Sequence, residues 1–323
     1  MVSGLMIGGL VTAFIVTAVL TVGAIVVYFK KRENVQGTFF IFVIGMLGVV
    51  FTNTLADVIA AVCKLSVLME YSYLLALAIY GLIIAVVDML LRFYFIGYSA
   101  KSGLGKIRAT MFSCGYVAGL CLMPACNQFL YILYAKMINE GVFLDGFELG
   151  TEPYEQALKF QESLTGASPL LHYAEATNYV ARAVLYCFIC MALVRGTMEG
   201  KKGKSFAVLL GIRAVFEVGY QMILSLCSEA GGAVYSEATA LTLTIICSVL
   251  VTAAGVYMLQ RMMKDYPKGN EPRSKAPVSG KKIVADAERK KNLAWQEVKN
   301  INTVKTEPEE TVESETVTGE VNK

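Results

Sequence analysis

The chain of 323 residues contains a single histidine, His172, and a single tryptophan, Trp295. One histidine excludes any multi-histidine metal centre. Charge is also scarce, at 17% of residues, where soluble domains carry about one quarter. Mean hydropathy is correspondingly high, at +0.55, which excludes an ordinary soluble globular class. No P-loop, GxGxxG, HExxH or nucleic-acid-binding signature is present, and no internal repeat stands out. The first apolar run, Gly4 to Phe29, has no basic residue before it and is followed by "KKR". It is too long for a signal-peptide core and reads as a retained span.

What the sequence does hold is apolar runs of membrane-crossing length, about 20 residues each. Seven are expected: about 4–29, 38–63, 71–98, 109–136, 170–195, 205–227 and 237–260. An all-α fold follows, because lipid offers no partner to a free backbone N–H or C=O, and barrel strands would be shorter and alternating. The chain divides into a seven-helix transmembrane domain, 1–263, and a tail, 264–323.

Basic residues alternate between the connections. Lys30, Lys31 and Arg32 follow the first span, Lys101, Lys106 and Arg108 the third, and Arg195, Lys201, Lys202 and Lys204 the fifth. The intervening connections are poor in Lys and Arg, and the one between spans four and five is acidic, with Glu140, Asp145, Glu148, Glu152, Glu155 and Glu162. The positive-inside rule then puts the N-terminus outside and the C-terminus inside. The acidic connection can hold a short helix near "EPYEQALKFQESL", either a lid or a plain connector. In the tail, 283–301 has the pattern of an amphipathic helix and the end is acidic and disorder-prone. Lipid is thus the first expected partner; the basic part of the tail either reaches the anionic inner leaflet or is simply solvated.

The eight cysteines fall in or beside apolar runs, where Cys packs as a small hydrophobe. The CxxC of Cys187 and Cys190 lies in a helix interior and reads as packing. So does the GxxxG of Gly115 and Gly119.

Ionisable groups within lipid face the bundle interior and mark function or pairing. Span three has Asp88 and Arg92, and span six has Arg213, Glu217 and Gln221, all at steps of four on one face. Span five carries His172, Glu175, Asn178 and Arg182 along one stripe, span two Asn53 and Asp57, and span four Asn127 and Gln128. At the helical rise, Asp88, Arg182 and Glu217 sit roughly 15–20 Å from the inner ends of their spans, and Arg92 and Arg213 roughly 10–13 Å. Acids and bases in one layer suggest a shared polar cavity lined by Asp57, Asp88, Arg92, Asn127, His172, Glu175, Asn178, Arg182, Arg213, Glu217 and Gln221. The same pattern would also arise from pairing that only holds the bundle together.

In order and local pattern, residues 1–263 resemble the YhfC family of bacterial intramembrane peptidases, related to the CAAX-prenyl proteases and bacteriocin-processing membrane proteases. The family's third-span pattern is similar to GxxxGxFEExxRY. Here "GLIIAVVDMLLRF" keeps Gly81 and Arg92, with Asp88 at the first Glu and Met89 at the second. In the next span, "GYVAGLCLM" keeps Gly115 and Gly119 but has Ala118 for the family's His and Leu122 for its Glu. Downstream, "YILYAKMINEG" resembles a segment ending in MINxG. In span five Glu175 fits, while Ala183 stands for the His, and in span six "RAVFE" puts Arg213 at the His and Glu217 at the Asp of HALxD.

The resemblance implies a multi-pass protein of a bacterial plasma membrane. Its departures imply a pseudoprotease with Asp88, Arg92, Glu175 and Glu217 as remnants, because hydrolysis needs one group to activate water and another to stabilise the oxyanion. No cofactor and no metal are expected, since the arginines would compete for the carboxylates. The expected partner is a membrane segment, peptide or lipid, and not nucleic acid. Transport through the charged layer, a sensor working through the tail, and an active protease with altered residues remain open as alternatives.

Overall fold

The computed structural model describes residues 1–31, 37–100, 105–225 and 236–264. Seven helices are long and apolar enough to cross a membrane. They are α1 (Gly4–Lys31), α2 (Thr38–Val62), α4 (Tyr73–Ala100), α5 (Gly105–Glu140), α7 (Leu170–Met198), α8 (Lys202–Ser225) and α9 (Glu237–Lys264). Each coincides with an expected span to within about one turn, the usual uncertainty of helix ends being a residue or two. Two short helices join them, α3 (Leu65–Tyr71) and α6 (Glu152–Gly166), and no strand occurs among the described residues. The expected tail helix at 283–301, the acidic end, Arg32, Lys101 and the connection at 226–235 lie outside the described residues.

The chain punctuates these helices by local chemistry. Lys64 takes a left-handed backbone (φ 51°) and separates α2 from α3, a break that the apolar pattern alone does not reveal. Gly141 (φ 78°) ends α5, with the Val142 N–H donating to the Met137 carbonyl and the Gly141 N–H to that of Ile138. That is the Schellman arrangement, which needs a residue comfortable at positive φ. α6 forms where the acidic connection was expected to hold a helix, with Glu152 and Glu155 in its first turn complementing the dipole. Its Leu164 and Ala157 are buried in a cluster with Met6 and Leu10 of α1 and Ala135 and Ile138 of α5. Val2 is clamped at the same end, its N–H donating to Asn139 Oδ1 at 2.7 Å and its carbonyl accepting from Nδ2 at 3.1 Å.

Helix α5 packs against both α1 and α2, α7 against α9, and α4 against α8. Glycine sets the closest of these approaches. A Cβ on Gly45 would strike the carbonyl of Phe112, and one on Gly115 or Gly119 the carbonyls of Phe42 and Met46. The GxxxG therefore lets the α2 and α5 backbones touch, as small residues do in membranes. Gly81 does the same for α4 and α8, where a Cβ would lie 3.2 Å from the Val218 backbone.

Candidate functional site

The closeness of α4 and α8 brings the charges of three helices together. Asp88 and Arg92 occupy one face of α4, Arg213 and Glu217 one face of α8, and Arg182 faces them from α7. Arg92 Nε donates to Asp88 Oδ1 at 2.8 Å, and Arg213 Nε donates to the other oxygen, Oδ2, at 3.0 Å. Arg213 Nη1 then donates to Glu217 Oε2, and Arg182 Nη2 to Glu217 Oε1 at 3.0 Å. Each oxygen of both carboxylates thus accepts from a guanidinium. The result is an alternating chain, Arg92–Asp88–Arg213–Glu217–Arg182, in which three positive charges meet two negative ones.

Burial is nearly complete: Asp88 and Arg92 are 0% exposed, Arg213 and Glu217 1%. Charges so far from water persist only when paired and hydrogen-bonded. Aromatic rings and the Cys190 thiol supply further contacts. The Arg92 guanidinium lies between Tyr116 and Tyr186, 4.1 and 4.5 Å from their ring centroids. Arg213 Nη2 donates to Tyr186 Oη at 3.0 Å, and Arg92 Nη1 to Cys190 Sγ at 3.0 Å. Arg182 sits over the Tyr220 ring at 5.1 Å. Such cation–π contacts stabilise a guanidinium with little access to water.

A second, smaller group stands apart. His172 Nδ1 lies 3.0 Å from Glu175 Oε2, to which Gln128 Nε2 donates at 2.9 Å. The Glu175 side chain is 33% exposed, unlike the buried carboxylates Asp88 and Glu217. Asn178 of α7 is buried and Gln221 of α8 half-buried.

Two expected members do not join. Asn127 is exposed, because Gln128, its neighbour in sequence, takes the inward face of α5. Asp57 is exposed on α2 and accepts a hydrogen bond from Tyr80 Oη at 2.6 Å. The expected polar cavity also takes another form, since among the described residues the layer's side chains close on one another and fill the space. The voids beside them are apolar. One, of about 590 Å³, runs between α8 and α9 over Leu185 of α7; another, of about 450 Å³, lies among α1, α5 and α7. No group of three or more His, Cys, Asp or Glu side chains among the described residues could hold a metal ion.

Tyr116, Tyr186 and Cys190 are members of the cluster that residue type did not single out. Arg182, Tyr186 and Cys190 follow one another at steps of four, so extending the α7 polar stripe inward would have found two of them. Cys190, read as packing, also accepts a hydrogen bond.

The positions at which the YhfC pattern calls for acid or histidine are filled differently. Met89 is 0% exposed in the apolar core, and Ala118 and Ala183 are buried in one cluster with Val117 and Cys121. Leu122 is exposed. Comparison with protein-family models, with curated proteins and with solved structures returns no match.

Proposed function

We propose that the protein is a non-catalytic, pseudoprotease-like relative of the YhfC membrane proteins that binds an apolar, membrane-resident ligand. The observation that carries this reading is the mutual capture of the layer's charges, with both oxygens of Asp88 and of Glu217 held by arginine. A carboxylate so held does not serve as a general base, which needs a free lone pair within hydrogen-bond reach of water or substrate. The burial of Met89, Ala118 and Ala183 in apolar packing supports the same conclusion. Binding then falls to the apolar groove between α8 and α9, beside the layer rather than within it. The alternation of basic connections supports an N-terminus outside and a C-terminus inside, and the YhfC resemblance alone suggests a bacterial plasma membrane.

Purified protein incubated with fluorogenic and membrane-segment peptides is expected to give no turnover. Turnover that disappears in a folded Asp88→Ala variant would overturn the proposal. A second reading, an active protease with altered residues, is favoured by one observation, the accessible Glu175 beside His172. Under it, turnover would be lost in Glu175→Gln and survive in Asp88→Asn.

A further inference from the structure

A basic pocket lies beyond one end of the α8–α9 groove, lined by the same three helices. At the end of the bundle where α7 and α9 finish and α8 begins, a pocket of about 300 Å³ is lined by Arg195, Glu199, Ser205 and Arg261 over Phe188 and Met258. Arg195 Nε donates to Glu199 Oε1 at 2.8 Å, and Lys201 Nζ lies 3.5 Å from Oε2. The hydrogen bond from Arg195 is the main reason that Glu199 is held below the usual carboxylate range. Glu199 is therefore ionised at neutral pH and offsets one of these cations. Arg261 is exposed and has no ion pair among the described residues, so the pocket keeps a net positive charge. Lys204 is a further exposed cation, one residue before Ser205.

Three short steps along the helices lead from this pocket into the groove. Phe188 is one turn from Leu185 on α7, Ser205 is two residues from Ala207 on α8, and Met258 is two turns from Val251 on α9. Leu185, Ala207 and Val251 all line the groove. Its α8 wall is low: a Cβ on Gly211 or Gly219 would meet nothing within 4 Å. A long apolar furrow with a cationic pocket at one end has the polarity of a phospholipid, with phosphate at the pocket and an acyl chain along the furrow. Basic pockets between transmembrane helices are suited to anionic headgroups. The alternation of basic connections places this end at the inner leaflet, where anionic lipid is found.

Resting on the reading that the groove binds a membrane-resident ligand, we propose that this ligand is an anionic phospholipid, its headgroup against Arg195, Ser205 and Arg261 and one acyl chain past Ala207, Gly211 and Val251. The full chain, purified in detergent and mixed with equal phosphatidylglycerol and phosphatidylcholine, is analysed by native mass spectrometry. One phosphatidylglycerol is expected to be retained in preference to phosphatidylcholine. Arg261→Gln should reduce that preference about fivefold, the worth of one basic residue near an anionic surface. Gly211→Leu, which grows into open space, should reduce retention of both lipids, with helicity by circular dichroism unchanged in either variant. Inorganic phosphate and glycerol phosphate should not displace the lipid, because they lack the chain.

Equal retention of the two headgroups, or preference unchanged in Arg261→Gln, would overturn the headgroup assignment. Lipid retention unchanged in Gly211→Leu, or a groove taken instead by a partner helix whose release accompanies that substitution, would overturn the acyl site. Displacement by phosphate alone would reduce the site to a free-anion pocket. Peptidase turnover, which tests the preceding reading, is measured on the same preparation and does not depend on lipid retention.

Discussion

Replacing Asp88 by Asn tests whether the charged layer is sealed. The substitution keeps the side-chain volume and one carbonyl acceptor while removing the charge that faces Arg92 at 2.8 Å and Arg213 at 3.0 Å. Three guanidiniums would then face one carboxylate, with Arg92 and Arg213 exposed by only 0% and 1%. Removing one partner of a buried ion pair typically destabilises by about 3–5 kcal/mol. Asp88 serves two cations, so the upper half of that range is expected. Hydrogen bonds between neutral groups in membrane proteins average only about 0.6 kcal/mol, so the two regimes are well separated. The assay is reversible unfolding of the purified protein in mixed micelles, run as a double-mutant cycle with Arg92→Met. In Asp88→Asn/Arg92→Met the layer regains its original charge excess, and the double variant should lose much less stability than the two singles combined. A loss below about 1 kcal/mol for Asp88→Asn, without coupling to Arg92, would refute the sealed layer. It would mean that water reaches Asp88, as it does at an exposed ion pair.

The remaining predictions concern packing, the aromatic contacts and topology. Gly119→Ala would place a methyl group 3.0 Å from the Met46 backbone and closer still to its carbonyl oxygen, so overpacking should destabilise by about 1–3 kcal/mol. Gly219→Ala, with nothing within 4 Å, should be neutral or stabilising by up to ~1 kcal/mol through helix propensity; both are read by thermal unfolding. Tyr186→Phe keeps the ring beside Arg92 and Arg213 but removes the acceptor 3.0 Å from Arg213 Nη2. It should lower stability by about 1–2 kcal/mol, between the membrane average and the value for a charged donor. Cys63 is free and exposed at the end of α2, whereas Cys121 is buried. In a variant whose only cysteines are these two, a membrane-impermeant maleimide applied to intact cells should label Cys63 and leave Cys121 unmodified. Labelling only after the membrane is opened would invert the proposed orientation.

The helices were legible because each span carries its own signal, an apolar run bounded by charge or glycine, and lipid leaves such a run no other fold. The pairs within one helix were legible for the same local reason, since a step of four puts Asp88 beside Arg92 and Arg213 beside Glu217. The links between helices, from Arg213 to Asp88 and from Arg182 to Glu217, have no local signature. They depend on how closely α4 and α8 approach, and that is set at Gly81, two turns from Asp88 on the same face of α4, against the backbone of Val218. Facing was equally hidden for single polar residues. Asn127 and Gln128 are adjacent and similar in chemistry, yet only Gln128 turns inward, because neighbouring helical positions point about 100° apart.

On the proposed reading, this dependence on packing is how an active-site pattern would become structural without disturbing the fold. Gly81, Gly115 and Gly119 set the close helix contacts, and apolar Met89, Ala118 and Ala183 lie in the core. Arg213, standing where the YhfC pattern has histidine, contributes the cation that bridges Asp88 to Glu217. An uncharged imidazole there could exchange a proton with water, whereas a guanidinium stays charged and fixes both acids as its partners. One position therefore distinguishes a layer that titrates from one that holds, and the sequence has arginine there.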